Sequence, residues 1–140
     1  NKWIYVLNEL DNTVSLVKEK EEVYFVDFTI STLPEEFTEF SKAADIHISK
    51  DGKFLYASNR GHESIVIYEV NVKDGTLTII GYEPVLGKNP RNFSLSPDEQ
   101  FLLVANQDTD NIVSFKRDIA TGKLTFVSEI TAPMPVCLLF

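Results

Sequence analysis

"FLYASNRG", residues 54–61, is a run of strand-forming residues that ends abruptly in Asn59, Arg60 and Gly61. It has two relatives in the same chain: "WIYVLNEL" at residues 3–10 and "FLLVANQD" at residues 101–108. Each apolar strand stops at an asparagine, and the next residue is polar but different: Glu9, Arg60, Gln107. A repeated apolar strand with a variable polar tip asks for a fold in which the strand is packed on both sides and the tip is not.

The asparagines Asn8, Asn59 and Asn106 are 51 and 47 residues apart, and their flanks fall into the same register. Before the second and third copies come "ADIHISKDG" and "PRNFSLSPDE", each a short strand closed by a turn at Asp51-Gly52 or Pro97-Asp98. After the three copies come "DNTVSLVKE", "HESIVIYEV" and "DNIVSFKRD". Then follow "VYFVDFTI" in the first copy, and "GTLTIIGY" and "GKLTFVSE" entered through glycine turns in the others. Each unit is four consecutive strands joined by short turns, and no helical period persists. Repeats of 40–50 residues with four antiparallel strands are the mark of β-propeller blades. The expected fold is therefore all-β. Residues 44–82 and 91–129 are blades, residues 2–30 are the last three strands of an earlier blade, and 135–140, "PVCLLF", is a closing first strand aligned with "PRNFSL". The segment 31–43, with Pro34 and several glutamates, is the long inter-blade connection and the expected place for a short helical turn. The open blade faces at the two ends predict self-association.

In such a meander the end of a blade's second strand and the start of its first lie on one face. That topology gathers Glu9, Arg60, Gln107 and Arg91 around one mouth of the central channel, with Asp45 related to Arg60 as Arg91 is to Gln107. Glu9 and Arg60 are the candidate catalytic pair, and Arg91 and Gln107 the candidate substrate-binding residues. The competing role for Glu9, Arg60 and Arg91 is an ion-pair strut between blades. The recurring asparagine is expected to hold its turn through an Asx-type bond. His47 reads as a satisfied core histidine and His62 as an exposed loop residue.

The formal net charge of −8 argues against nucleic acid, which demands a basic stripe. Acidic runs at Glu19, Glu21 and Glu22 and at Glu35, Glu36 and Glu39 read as solvated loops. Two histidines and one cysteine make a metal site improbable, no phosphate loop is present, and no cofactor is expected. Cys137 alone forms no internal disulfide, which suits a reducing, cytoplasmic setting, and within "PVCLLF" it reads as a buried inert thiol. No apolar run approaches the roughly 20 residues of a membrane span.

On "ADIHISKDGKFLYASNRG", "PRNFSLSPDEQFLLVANQDTDNIVSFKRD", "TGKL" and "PVCLLF", the chain resembles the lactonase-type seven-bladed β-propellers. That family holds bacterial 6-phosphogluconolactonases and fungal carboxy-cis,cis-muconate lactonising enzymes. The resemblance implies a parent of seven blades and a small lactone or sugar-phosphate substrate. It places the lactonising branch's site glutamate at Glu9, in "NEL", and an arginine at Arg60, in "SNRG". The family's further site histidine and arginine would lie in blades outside this sequence. The chemistry fits the residue types: lactone opening needs a base for water and a cation for the oxyanion. Run backwards, the same pair closes a lactone. A non-catalytic binding propeller is the remaining alternative, but its top loops would carry aromatics rather than these charges.

Overall fold

The computed structural model describes residues 3–140, and no α-helix occurs among them. Eleven strands form three antiparallel sheets. The first contains β1 (Ile4–Asn8), β2 (Thr13–Lys20) and β3 (Val23–Ser31). The second contains β4 (Lys42–Ile48), β5 (Phe54–Arg60), β6 (Ser64–Val70) and β7 (Leu77–Pro84). The third contains β8 (Pro90–Leu95), β9 (Phe101–Asn106), β10 (Asn111–Arg117) and β11 (Leu124–Thr131). In each sheet the strands lie in chain order, so each is one meander.

The sheets stack face to face, which is why β5 and β6 read as nearly unbroken apolar runs: both of their faces are covered. One core layer joins Phe54, Tyr56 and Ile65 of the middle sheet to Phe93, Leu102 and Phe115 of the third. The other joins Leu55, Val66 and Tyr68 to Val14 of the first sheet, with Leu7 and Phe28 packed against it. Repeated polar devices tie the layers together. Tyr5 and Tyr56 donate their hydroxyls to the carbonyls of Gly75 and Gly122, each in the turn before the last strand of the neighbouring sheet, at 2.7 and 2.8 Å. Those glycines have φ of +81° and +72°, and a Cβ there would run into the rings of Trp3 and Phe54. Both the backbone angle and the ring contact therefore require glycine.

The asparagines that end the central strands do something other than close their own turns. Asn59 Nδ2 donates to Thr32 O at 2.7 Å, and Asn106 Nδ2 donates to Val85 O at 2.9 Å. Each acceptor is the first residue after the outer strand of the preceding sheet, β3 or β7. The repeated asparagine is thus a clamp between sheets. Both asparagines are fully buried, and each amide has its shortest hydrogen bond to a carbonyl of the preceding sheet, Asn59 adding a longer one of 3.3 Å to Ser64 Oγ in its own sheet. Asn8 has no preceding sheet in this chain, and its amide turns to the hydroxyls of Thr13 and Ser15.

Four expectations change. Residues 135–140 form no strand, because the strands that would ladder with them are not in this chain. They nevertheless occupy the corresponding place. Leu138 N–H donates to Asn92 Oδ1 at 2.7 Å, as Phe93 N–H donates to Asp45 Oδ2 at 3.1 Å. Cys137 is exposed rather than buried, for the same lack of a covering layer. The connection after β3 has no helical turn, only a bond from Phe37 N–H to Pro34 O at 3.1 Å. Among the described residues the single 3-10 turn is Gln107–Thr109, so Gln107 has left the ladder and does not end β9.

Candidate functional site at the end of the central strands

β1 and β5 run in the same sense within the stack, so Glu9, just past β1, and Arg60, the last residue of β5, reach the same end. The backbone fixes them there. Ala43 N–H donates to Glu9 O at 3.0 Å, joining the tip of one sheet to the start of β4 in the next. Lys42 is the ladder partner of Arg60, and Ser41 Oγ donates to Arg60 O at 2.9 Å. Gly61, at φ +104°, passes so close to Phe40 O that a Cβ there would lie 2.2 Å from it. Only glycine lets the chain turn away directly after Arg60.

With the backbones held, the side chains meet. Arg60 Nη2 donates to Glu9 Oε1 at 2.5 Å and to Ala43 O at 3.0 Å. The arginine is mostly covered and the glutamate open, with side-chain exposures of 19% and 57%. The hydrogen bond from Arg60, and then its charge, hold the Glu9 carboxyl below its ordinary value; Lys42 and Arg91 act in the same direction more weakly. The carboxyl therefore stays ionised into acid, next to three cations.

Of the four residues expected to converge, the structure brings Glu9 and Arg60 into contact and sets Arg91 within electrostatic range. Arg91 stands in a bulge between Pro90 and Asn92, which takes it out of the ladder and leaves it exposed. Gln107 turns to the loop before β8: its N–H donates to Asn89 O at 3.1 Å and its Oε1 takes a long contact of 3.5 Å from Asn89 Nδ2. Asp45 does not pair with Arg60. It is the register mate of Asn92, whose Nδ2 donates to Asp45 Oδ2 at 2.6 Å, so it links the two innermost strands. His47 shares that carboxylate at 3.1 Å and lies edge-on to Phe93, partly exposed rather than in a closed core. His62 is packed against Phe37 and Tyr82 and bonded to Ser64 Oγ at 2.7 Å, so the exposed loop residue expected there is half-buried. Burial lowers its pKa.

Sequence reading missed Lys42. Its signal was the length of β4, which begins two residues before the expected 44 and so brings Lys42 level with Arg60. A cavity of about 520 Å³ lies at the far end of the sheets, lined by Trp3, Tyr5, Ile46, Ile48, Leu55 and Val70. It runs beside the unpaired edge of β1 and is lined by none of Glu9, Lys42, Arg60, Arg91 or Gln107. Among the described residues, no three His, Cys, Asp or Glu side chains converge as a metal site would require. Among the described residues, no helix is long and apolar enough to cross a membrane.

Residues 1–140 match the family described as lactonase, 7-bladed β-propeller. The 6-phosphogluconolactonase of Formosa agariphila is 47% identical over 98 residues, covering 67% of this chain and 27% of that protein. Among solved structures, a protein from Lactobacillus plantarum superposes with a TM-score of 0.93 at 34% identity, over 97% of this chain and 40% of that one. The periplasmic gluconolactonase of Pseudomonas aeruginosa gives 0.90 at 30% identity, over 96% and 38%. This chain spans well under half the length of these relatives. The repeated meanders, the clamps between them and the match along the whole sequence have one reading: the chain belongs to the lactonase family of seven-bladed β-propellers.

Proposed function

We propose that this chain supplies the Glu9–Arg60 portion of a lactone-hydrolysing site, and that a complete propeller carrying it opens a sugar lactone such as 6-phosphogluconolactone to its acid. The observation that carries the reading is the 2.5 Å pair at the strand ends, with Arg91 close by. Glu9, ionised and open to solvent, takes a proton from water as the water oxygen attacks the lactone carbonyl. Positive charge beside it stabilises the oxyanion that forms. The ring C–O bond then breaks, and the departing oxygen takes up a proton. The names of the relatives support this chemistry, since Formosa agariphila's protein is a 6-phosphogluconolactonase and the Pseudomonas protein a gluconolactonase.

A carboxymuconate-type lactonising role uses the same residues in reverse, with Glu9 as the acid. The depressed pKa of Glu9 favours the base. The single cysteine suits a reducing cytoplasm, although the Pseudomonas relative is periplasmic. The direct test is hydrolysis of 6-phosphogluconolactone by a complete propeller carrying these residues, corrected for spontaneous ring opening. A rate no higher than the uncatalysed one removes the reading.

The 140-residue chain by itself should associate. Ile4 and Val6 are 48% and 42% exposed on β1, and Phe126 and Ile130 are 47% and 61% exposed on β11. These residues lie on the two end sheets. Sedimentation at rising concentration should show dimers or larger species; a monomer throughout would contradict the expectation.

A further inference from the structure

We propose that residues 135–140 of one copy of this chain add to the open edge of β1 in a second copy as its innermost strand, with Leu139 seated in the cavity beside that edge. Two copies that exchange these segments close a six-bladed ring.

Each innermost strand is tied to the next by one polar link: Asp45 Oδ2 accepts from Phe93 N–H, and Asn92 Oδ1 accepts from Leu138 N–H. Residues 135–140 are thus set where a third innermost strand belongs, yet no strand of their own chain ladders with them. β1 has the opposite shortage. Its equivalents β5 and β9 each lie between two strands, while β1 pairs only with β2. Edges left to solvent are usually guarded by a charge, a proline or a bulge. β1 has none of these: "IYVLN" is uncharged and pairs with β2 in unbroken register. "PVCLLF" is uncharged as well, and Pro135 opens it as Pro90 opens β8.

The β8–β9 ladder sets the register. Phe93, Ser94 and Leu95 stand opposite Val104, Leu103 and Leu102, which puts Leu138, Leu139 and Phe140 opposite Val6, Tyr5 and Ile4 of the second copy. Side chains alternate across a strand. Leu138 and Phe140 therefore turn to the third sheet of their own copy, as Phe93 and Leu95 turn to the middle sheet. Leu139 points the other way, as His47 does when it lies edge-on to Phe93. Its ladder mate Tyr5 already faces that side, since the Tyr5 hydroxyl reaches Gly75 O. That direction leads into the cavity of about 520 Å³ lined by Tyr5, Ile46, Ile48 and Leu55 of the second copy. Leu139 is 95% exposed in the single chain, and the cavity offers it an apolar seat. Burying one leucine shifts an equilibrium roughly 10- to 100-fold.

The number of sheets selects two copies. β1 and residues 135–140 lie at opposite ends of a stack of three sheets, too few to close on themselves. Two copies supply four complete sheets and two shared ones; three copies would make nine, above the usual range of about 4–8 blades. A ring of six turns each joint by about 9° more than a ring of seven. In return it covers both apolar end faces, including Ile4, Val6, Phe126 and Ile130, whereas an open string of copies always leaves two bare.

Sedimentation of the 140-residue chain should resolve a dimer as the end point of association. Leu139→Asp should raise the dimer dissociation constant at least tenfold. Because that side chain is exposed in the single chain, the circular dichroism of the diluted protein should not change. Leu139→Met should dimerise much as the original does. A monomer at all concentrations, or a dimer indifferent to Leu139→Asp, would overturn the proposal. Register and closure are read together from Val6→Cys with Leu138→Cys, in a Cys137→Ser background. Directly opposed strand positions are close enough for a disulfide. Oxidation should give a covalent dimer and stop there. Cysteines that stay reduced within the dimer, or products that run on to trimers and longer strings, would each contradict the exchanged ring.

Discussion

Glu9→Gln should cut lactone turnover by a complete propeller roughly 10²–10⁴-fold, the scale on which a positioned acid–base group contributes. The amide keeps the shape of the side chain and an oxygen for Arg60 Nη2, so the contact now at 2.5 Å survives in altered form. What it lacks is the ability to take a proton from water. Stability should hardly change, because the carboxylate is exposed and a solvent-exposed pair adds little. Turnover and thermal melting measured on the same preparations separate the two roles open to Glu9. Lost turnover with an unchanged melt supports the base. Intact turnover with a lowered melting temperature makes Glu9 a strut between sheets, and the base must then come from a blade outside this chain.

Arg117→Ala should produce the largest loss of stability, about 3–5 kcal/mol, because it breaks a buried ion pair from one side. Arg117 is 3% exposed, at the end of β10. Its Nε donates to Tyr56 Oη at 2.8 Å, its Nη1 to Glu99 O at 3.3 Å, and Glu99 Oε2 lies 3.6 Å from Nη1. The guanidinium also lies over the rings of Phe54 and Tyr56, so it joins the third sheet to the second. Truncation leaves the Glu99 carboxylate and the Tyr56 hydroxyl without that partner, in surroundings that water barely reaches. For a chain of this size the melting temperature should fall by roughly 10–20 °C. Arg117→Met combined with Glu99→Gln should recover much of the loss, since replacing both charges costs less than stranding one. A fall of only a degree or two for Arg117→Ala would show that the sheets are held by their apolar layers alone.

The strand order was legible because the apolar runs, the turn residues and the asparagines recur together. Register between blades was legible too: the alignment of "PVCLLF" with "PRNFSL" fits the bond that Leu138 N–H donates to Asn92 Oδ1. What each asparagine bonds to was not legible. Spacing marks Asn59 and Asn106 as special, but their acceptors, Thr32 and Val85, come from the preceding layer, which a local turn rule does not consider. The Glu9–Arg60 contact was legible from topology, since both follow strands that run the same way. Gln107 was misplaced because the chain there winds into a 3-10 turn, and strand propensity does not foresee a ladder ending one residue early. Arg117 was not legible among the three charges of "SFKRD", because its burial depends on Tyr56, 61 positions away in the sequence.

The central claim, that Glu9 works as a base held ionised by Arg60, is tested most directly by the acid limb of kcat/KM against pH. A base is active when deprotonated, so the rate falls as pH drops through the pKa of Glu9 in the free enzyme. That pKa is lowered from 4.5, first by the hydrogen bond from Arg60 and then by its charge. The limb in the unmodified propeller should therefore lie below 4.5, and in Arg60→Gln it should move up toward that value, with the rate above the limb reduced but measurable. A limb that stays in place when Arg60 is replaced, or that survives Glu9→Gln, would contradict the account.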